Sequence, residues 1–159
     1  MKKGTSLVEL LLYCGLIVII LTVLYQFFAV IAFQRIEATA DEAVFGSGRR
    51  ILFEISQSIK GAASVDSPAI GDFGQLLSLN GGAVLFQVNE NGRLEKAVNG
   101  ETLFISDSNV IIENINFTTL GPSTAAPTVE VSFTIRYAHL LEGGRERTED
   151  FKTSVTMRS

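Results

Sequence analysis

The hydrophobic pattern divides the chain into an apolar beginning and a longer remainder in which apolar and polar residues alternate. From Leu10 to Phe33 there is no charged residue, and only Gly15, Thr22 and Gln26 interrupt the apolar and aromatic content. At about 1.5 Å per residue, a helix over this range spans roughly 36 Å, which is enough to cross a hydrocarbon core of about 30 Å. The pattern therefore predicts a membrane-spanning helix.

The apolar run differs from a cleaved secretory signal peptide. Such a peptide has an apolar region of about 7–15 residues, followed by a small-x-small cleavage site. Here the run is longer, and no Ala-x-Ala stands at its end at Phe33. Lys2 and Lys3 precede the run, and by the positive-inside rule they keep the amino terminus cytoplasmic. We therefore expect a retained single-pass helix with the carboxyl domain outside.

Beyond the apolar run, apolar residues keep helical spacing. This spacing predicts one helix from about Thr5 to about Lys60, with an amphipathic second half over 34–60. Gly46 and Gly48 each cost about 1 kcal/mol relative to Ala, which predicts a bend or a short break there. Gly61 is a suitable helix stop. The apolar stripe consists of Ile36, Ala40, Ala43 and Val44, followed by Ile51, Leu52, Ile55 and Ile59.

After a loop over 61–75, the pattern predicts strands separated by turns. Asn91-Gly92, between two apolar stretches, is a strong hairpin signal. The predicted strands cover 83–89, 93–98, 102–105 (strand or turn), 110–119, 128–139 and a last strand in which Phe151, Val155 and Met157 alternate.

The strand over 128–139 has the clearest alternation. Every second residue from Val129 to Tyr137 is apolar, and this set includes Phe133, whereas the residues between them are polar. Such a strand is half-buried and belongs to an antiparallel sheet. A long helix followed by an antiparallel sheet predicts an α+β fold, with the sheet wrapped on the amphipathic half of the helix. In the strand over 110–119, the residues expected on one face are Ile111, Glu113, Ile115 and Phe117.

Glu9 is the one acidic residue next to the apolar run. An acid at the centre of a membrane costs about 2.5–3.5 kcal/mol on insertion scales, and less near the interface. One interpretation places Glu9 at headgroup depth, as a first-turn acid that the helix dipole favours. The other interpretation gives Glu9 a partner, and the residues around it decide which partner.

The sequence Lys2-Lys3-Gly4, then Thr5-Ser6-Leu7-Val8-Glu9 and an apolar helix, resembles the type IV prepilin signal of pilins and type II secretion pseudopilins. That signal is a short basic leader ending in glycine, with a glutamate fifth in the mature chain. The resemblance implies that a prepilin peptidase cuts after Gly4 and methylates the new amino terminus at Thr5, where the family usually has phenylalanine. It also implies that Glu9 pairs with the Thr5 amine of a neighbouring subunit during filament assembly.

The same resemblance implies a division of the chain and a location. Residues 1–4 would be the leader, 5–33 the transmembrane and filament-core helix, 34–60 its amphipathic half, and 61–159 a pilin-like outer domain with an antiparallel sheet. The location would be the bacterial inner membrane and then a pilus or pseudopilus. The partners would be other pilin or pseudopilin subunits, the prepilin peptidase and the inner-membrane assembly platform. The last strand also resembles that of minor subunits.

Composition limits the alternatives. With 159 residues and 17.2 kDa, the chain has room for one membrane helix and one modest domain. The formal net charge of −4 argues against a chain-wide nucleic-acid surface, although it leaves a local basic patch open. The single cysteine, Cys14, lies in the apolar helix, so no intramolecular disulfide is expected.

The residue types that carry catalysis are sparse. His139 is the only histidine and Cys14 is in the apolar run, so neither a zinc site nor a nucleophile–histidine pair is expected. We expect no cofactor and no enzymatic activity. Arg49 and Arg50 are expected to be solvated or to pair with another subunit. The leading hypothesis is a structural filament subunit; the alternative is a membrane-anchored outer domain that binds a secreted substrate, a surface or DNA.

Overall fold

The computed structural model describes residues 7–121, 126–141 and 144–158. The architecture is α+β: one long amino-terminal helix is followed by antiparallel strands. The chain consists of two compact units, one up to Ala38 and one from Thr39 onward. The elements are α1 (Leu7–Lys60), β1 (Val65–Ser67), β2 (Phe73–Gly74), β3 (Leu77–Leu79), β4 (Val84–Val88), β5 (Leu94–Val98), β6 (Glu101–Phe104), β7 (Val110–Leu120), β8 (Thr128–Tyr137) and β9 (Thr148–Thr156).

Helix α1 is continuous through Gly46 and Gly48, so of the predicted bend or short break, the break does not occur. The helix ends at Lys60, as expected, and the Gly61 amide donates a hydrogen bond to the Gln57 carbonyl at 3.1 Å. Ile36 is exposed and does not belong to the buried stripe, whereas Ala43 and Leu52 pack partly buried against the core. The buried residues of the helix recur at helical spacing and are Ala40, Val44, Ser47, Gly48, Ile51, Ile55 and Ile59.

The strands form two antiparallel sheets rather than the single sheet that the sequence pattern predicts. The five-stranded sheet has the order β1-β3-β4-β5-β6, and the four-stranded sheet has the order β2-β7-β8-β9. Strands β1 and β2 lie within the range 61–75, which was expected to be a loop. With three and two residues, these strands are too short to show an alternating pattern.

The predicted hairpin at Asn91-Gly92 is confirmed, because β4 and β5 pair on either side of it. The Asn89 side-chain oxygen accepts hydrogen bonds from the backbone amides of Asn91 at 3.0 Å and Arg93 at 2.9 Å. Gly92 has a φ of 71°, and a Cβ there would lie 2.5 Å from Cγ2 of Ile111. The turn therefore requires glycine for both its conformation and its space.

Strand β7 contains a bulge, and the inward and outward positions along this strand therefore differ from those that the sequence predicts. The register with β8 shifts between Glu113 and Asn116, and Asn114 has a φ of 53°. An extra residue in one strand reverses which face the following side chains occupy. The buried residues are therefore Val110 and Ile112 before the bulge and Ile115 and Phe117 after it. The prediction that Ile111 and Glu113 share a face with Ile115 and Phe117 is therefore wrong, because only the latter two are buried.

The predicted phase of β8 is confirmed, because Phe133 is only 2% exposed while Thr134 is half-buried. Phe133 stacks on Phe151 of β9, with ring centroids 5.4 Å apart. Phe151 in turn meets the edge of Phe45 of the helix at 6.3 Å. A Cβ added to Gly48 would overlap the Phe151 ring. These aromatic contacts link the amphipathic half of α1 to the four-stranded sheet.

Polar contacts link the same half of α1 to the five-stranded sheet and the segment after it. Asp107, just after β6, accepts a hydrogen bond from the buried Ser47 hydroxyl at 3.0 Å. It also forms an ion pair with Arg50 at 3.3 Å. Lys96 on β5 pairs with Glu54 at 3.2 Å. Arg50 therefore has a carboxylate partner within its own chain.

Candidate functional site

The candidate site is the first part of α1, from Leu7 to Phe33. Its side chains are exposed on all sides of the helix, except for the half-buried Ala29 and Ile31. Leu7 is 75% exposed and Tyr25 is 76% exposed. A large apolar surface of this kind usually marks an interaction site with protein or membrane. Nothing in the described part of the chain covers it.

The helical conformation suits apolar surroundings, because a helix satisfies its backbone hydrogen bonds within one segment. The Thr22 hydroxyl is satisfied in the same way, since it donates to the Val18 carbonyl at 2.8 Å. The most apolar window of α1 has a mean hydropathy of 2.7 and is 0% buried within the chain. This first part of α1 is therefore long and apolar enough to cross a membrane. A signal sequence satisfies the same criteria of length and composition.

Glu9 lies in the first turn of the described helix. A carboxylate in the first turn interacts favourably with the positive end of the helix dipole. Its side chain is exposed, and it has no ion-pair partner among residues 7–121, 126–141 and 144–158. Gly4 and Thr5, the expected cleavage and methylation positions, lie outside the described residues. The helix thus presents a single carboxylate at the start of a charge-free apolar surface.

Several charged groups of the carboxyl-terminal unit form ion pairs within that unit. Arg147 forms ion pairs with Asp41 of the helix and with Glu149, the latter at 3.7 Å. Arg136 on β8 donates from Nε to the Glu113 carboxylate at 2.9 Å. That hydrogen bond raises the pKa of the Arg136 guanidinium above its ordinary value, while desolvation opposes the shift. The group therefore keeps its charge throughout the physiological range.

No cluster of three or more His, Cys, Asp or Glu side chains that could hold a metal ion occurs in the described ranges. His139 lies against the ring of Tyr137, with centroids 5.6 Å apart. Cys14 is exposed on the apolar helix and forms no disulfide. Cys14 and His139 lie in different units of the chain.

Sequence reasoning missed several exposed apolar side chains of the carboxyl-terminal unit, of which three lie on α1 and β6. Phe53 on α1 is 64% exposed, and Leu103 and Phe104 on β6 are 61% and 52% exposed. Their exposure depends on which face of the helix and which edge of the sheet remain uncovered.

Comparison of the chain with family models, with curated proteins and with solved structures gave no match.

Proposed function

We propose that this chain is a structural subunit of the minor pilin or pseudopilin type, in a type IV pilus or a type II secretion filament. The observation that carries the proposal is Glu9, the lone carboxylate in the first described turn of a helix whose apolar surface is left uncovered by residues 7–121, 126–141 and 144–158. The prepilin-like order of Lys2, Lys3, Gly4 and Thr5 ahead of it supports the same assignment.

In this proposal the subunit begins in the bacterial inner membrane, with its amino terminus inside. A prepilin peptidase removes residues 1–4 and methylates the new amino terminus at Thr5. Packing an apolar surface of this size against like helices is favourable, because the helices then make close van der Waals contacts with one another. The apolar helices of several subunits then form the filament core, and the outer domains form the surface.

Glu9 gives this assembly its specificity. A carboxylate that enters an apolar bundle is costly unless an opposite charge meets it. The free amine of Thr5 on a neighbouring subunit, created by the cleavage, supplies that charge. Two helices that are out of register leave both charges unpaired, so the pair selects one axial position. A structural role of this kind needs no catalytic group in the outer domain.

The proposal is tested by processing. The full chain is coexpressed with a prepilin peptidase, and its intact mass is measured with and without the enzyme. We expect loss of Met-Lys-Lys-Gly, and we expect Gly4→Ala to slow the cut, since the enzyme would have to accept a Cβ. An intact amino terminus in the parent chain would contradict the proposal and favour an anchored outer domain that acts by binding.

A further inference from the structure

The five-stranded sheet ends in an edge strand that has one exposed apolar side chain on each face. Strand β6 pairs only with β5 and stands last in the sheet order. All four of its residues are exposed. Leu103 lies on the face of Lys96, its partner on β5, and is 61% exposed. Phe104 lies on the opposite face and is 52% exposed.

The backbone of β6 has free hydrogen-bonding groups at its outer edge. The Ile105 amide donates to the Leu94 carbonyl at 2.9 Å, which marks this pair as hydrogen-bonded. In an antiparallel ladder, alternate residues of a strand bond the same neighbour. Leu103 and Glu101 therefore also direct their backbone groups toward β5. Thr102 and Phe104 direct their N–H and C=O groups away from the sheet, where the described chain supplies no strand.

One of the two edges of the four-stranded sheet is different. Strand β9 ends the four-stranded sheet, and its exposed positions include Asp150 and Lys152. Charged side chains on an edge strand oppose pairing with another strand. Strand β6 carries only Glu101 as a charged residue, at its first position. Of these two edges, β6 is the one without such protection.

We propose that β6 is a self-association edge, which pairs antiparallel with β6 of a second copy about a two-fold axis at Leu103. In this register Thr102 of each copy lies opposite Phe104 of the other. Both residues then exchange backbone hydrogen bonds with the partner, and no free group remains between them. The two Leu103 side chains meet across the axis at a non-hydrogen-bonded pair, where side chains lie closest.

The side chains favour a second copy over an unrelated strand. Each Phe104 lies beside the Thr102 of the other copy, an aromatic and β-branched pair of the kind that stabilises sheets. The Arg93 guanidinium covers Phe104 on the same copy, 4.1 Å from the ring centroid. Glu101 lies opposite Ile105 of the other copy, so the two Glu101 carboxylates stand at opposite ends. The pairing is thus free of facing like charges, and it rests on the sheet edge alone, independent of the proposed function.

The test uses single cysteines in the full chain, purified in detergent micelles on a Cys14→Ala background. In the proposed register the Cα atoms of the two Leu103 residues lie about 4.5 Å apart, within disulfide range. The two Thr102 residues lie roughly 9 Å apart, beyond the limit of about 7 Å. Under mild oxidation we expect Leu103→Cys to give on the order of tenfold more disulfide dimer than Thr102→Cys, because only the former pair can be bridged without backbone movement.

A third variant tests whether the apolar edge drives the pairing. Phe104→Lys, combined with Leu103→Cys, places a charge beside Thr102 of the other copy and is expected to reduce the dimer to the level of Thr102→Cys. Equal dimer yields for Leu103→Cys and Thr102→Cys would overturn the proposal, since helix-driven encounters in the micelle would explain both. Absence of dimer from Leu103→Cys would overturn it as well. Prepilin cleavage is measured separately and is unaffected by either outcome.

Discussion

The backbone of Gly48 lies directly against the ring of Phe151, in the space that a Cβ would occupy. Phe151 cannot withdraw freely, because its other side stacks on Phe133, which is almost fully buried. The glycine that local propensity marks as unfavourable in a helix is therefore a point of close approach between α1 and β9. Tertiary packing, rather than a break in the helix, explains the residue.

The first prediction follows from that contact. Gly48→Ala is expected to lower the free energy of unfolding by about 1–2 kcal/mol, because overpacking outweighs the helix propensity gained. The matched control is Gly46→Ala, two residues earlier, where a Cβ meets nothing within 4 Å. That change is expected to stabilise by up to about 1 kcal/mol. Thermal unfolding of the two variants measures both changes in stability. Changes of the same sign would contradict the close contact between Gly48 and Phe151.

Phe133 gives the second prediction. Its side chain is 2% exposed in the core, and Phe→Ala at such sites typically costs about 3–5 kcal/mol. Phe133→Ala is therefore expected to lower the melting temperature of the outer domain sharply. Thr134→Ala serves as the control, because its exposed hydroxyl loses only a hydrogen bond to Asp150. If Thr134→Ala were the more damaging change, the phase assigned to β8 would be reversed.

The bulge in β7 gives the third prediction. Ile112 is 4% exposed, whereas the adjacent Ile111 is half-buried on the other face. Ile112→Ala is expected to cost about 2–5 kcal/mol, in the range of buried Ile→Ala changes, and Ile111→Ala less. Denaturant unfolding of the two variants measures the difference. A strand without the bulge would give the opposite order, so the pair tests the position of Asn114.

Asp107 gives the fourth prediction, since it bonds a buried hydroxyl and an exposed guanidinium. Ser47 is 0% exposed, so Asp107→Ala leaves its hydroxyl without this acceptor and is expected to cost about 1–3 kcal/mol. Arg50→Ala removes only the exposed ion pair, and such pairs contribute about 0–1 kcal/mol. The free energy of unfolding of both variants, measured in low and high salt, separates the contribution of the hydrogen bond from that of the ion pair. A loss for Arg50→Ala as large as that for Asp107→Ala would contradict this ranking.

The fifth prediction concerns Glu9. If its carboxylate meets a neighbour's amine in an apolar bundle, Glu9→Ala strands that amine, and breaking a buried pair costs about 3–5 kcal/mol. We expect Glu9→Ala to be made, inserted and cleaved normally but to be incorporated poorly with partner subunits. Crosslinking through cysteines in the amphipathic half of α1, on a Cys14→Ala background, measures incorporation. Equal crosslinking of the parent and Glu9→Ala chains would count against the pairing.

The sequence by itself determined the features that depend on local pattern. The charge-free run after Glu9 predicts the long helix, and Gly61 predicts its end at Lys60. The Asn91-Gly92 hairpin and the phase of β8 around Phe133 also follow from neighbouring residues. These predictions succeeded because turn chemistry and strand alternation act over a few consecutive residues.

Only the tertiary structure decided how those elements combine. The bulge at Asn114 reverses a strand phase through one left-handed residue, which the alternating pattern does not reveal. The division into two sheets depends on β1 and β2, whose pairing comes from partners distant in sequence. Gly48 and Phe151 are likewise distant in sequence and meet only after the helix packs on β9. Such contacts depend on which surfaces remain to be covered, and a local pattern carries no information about that.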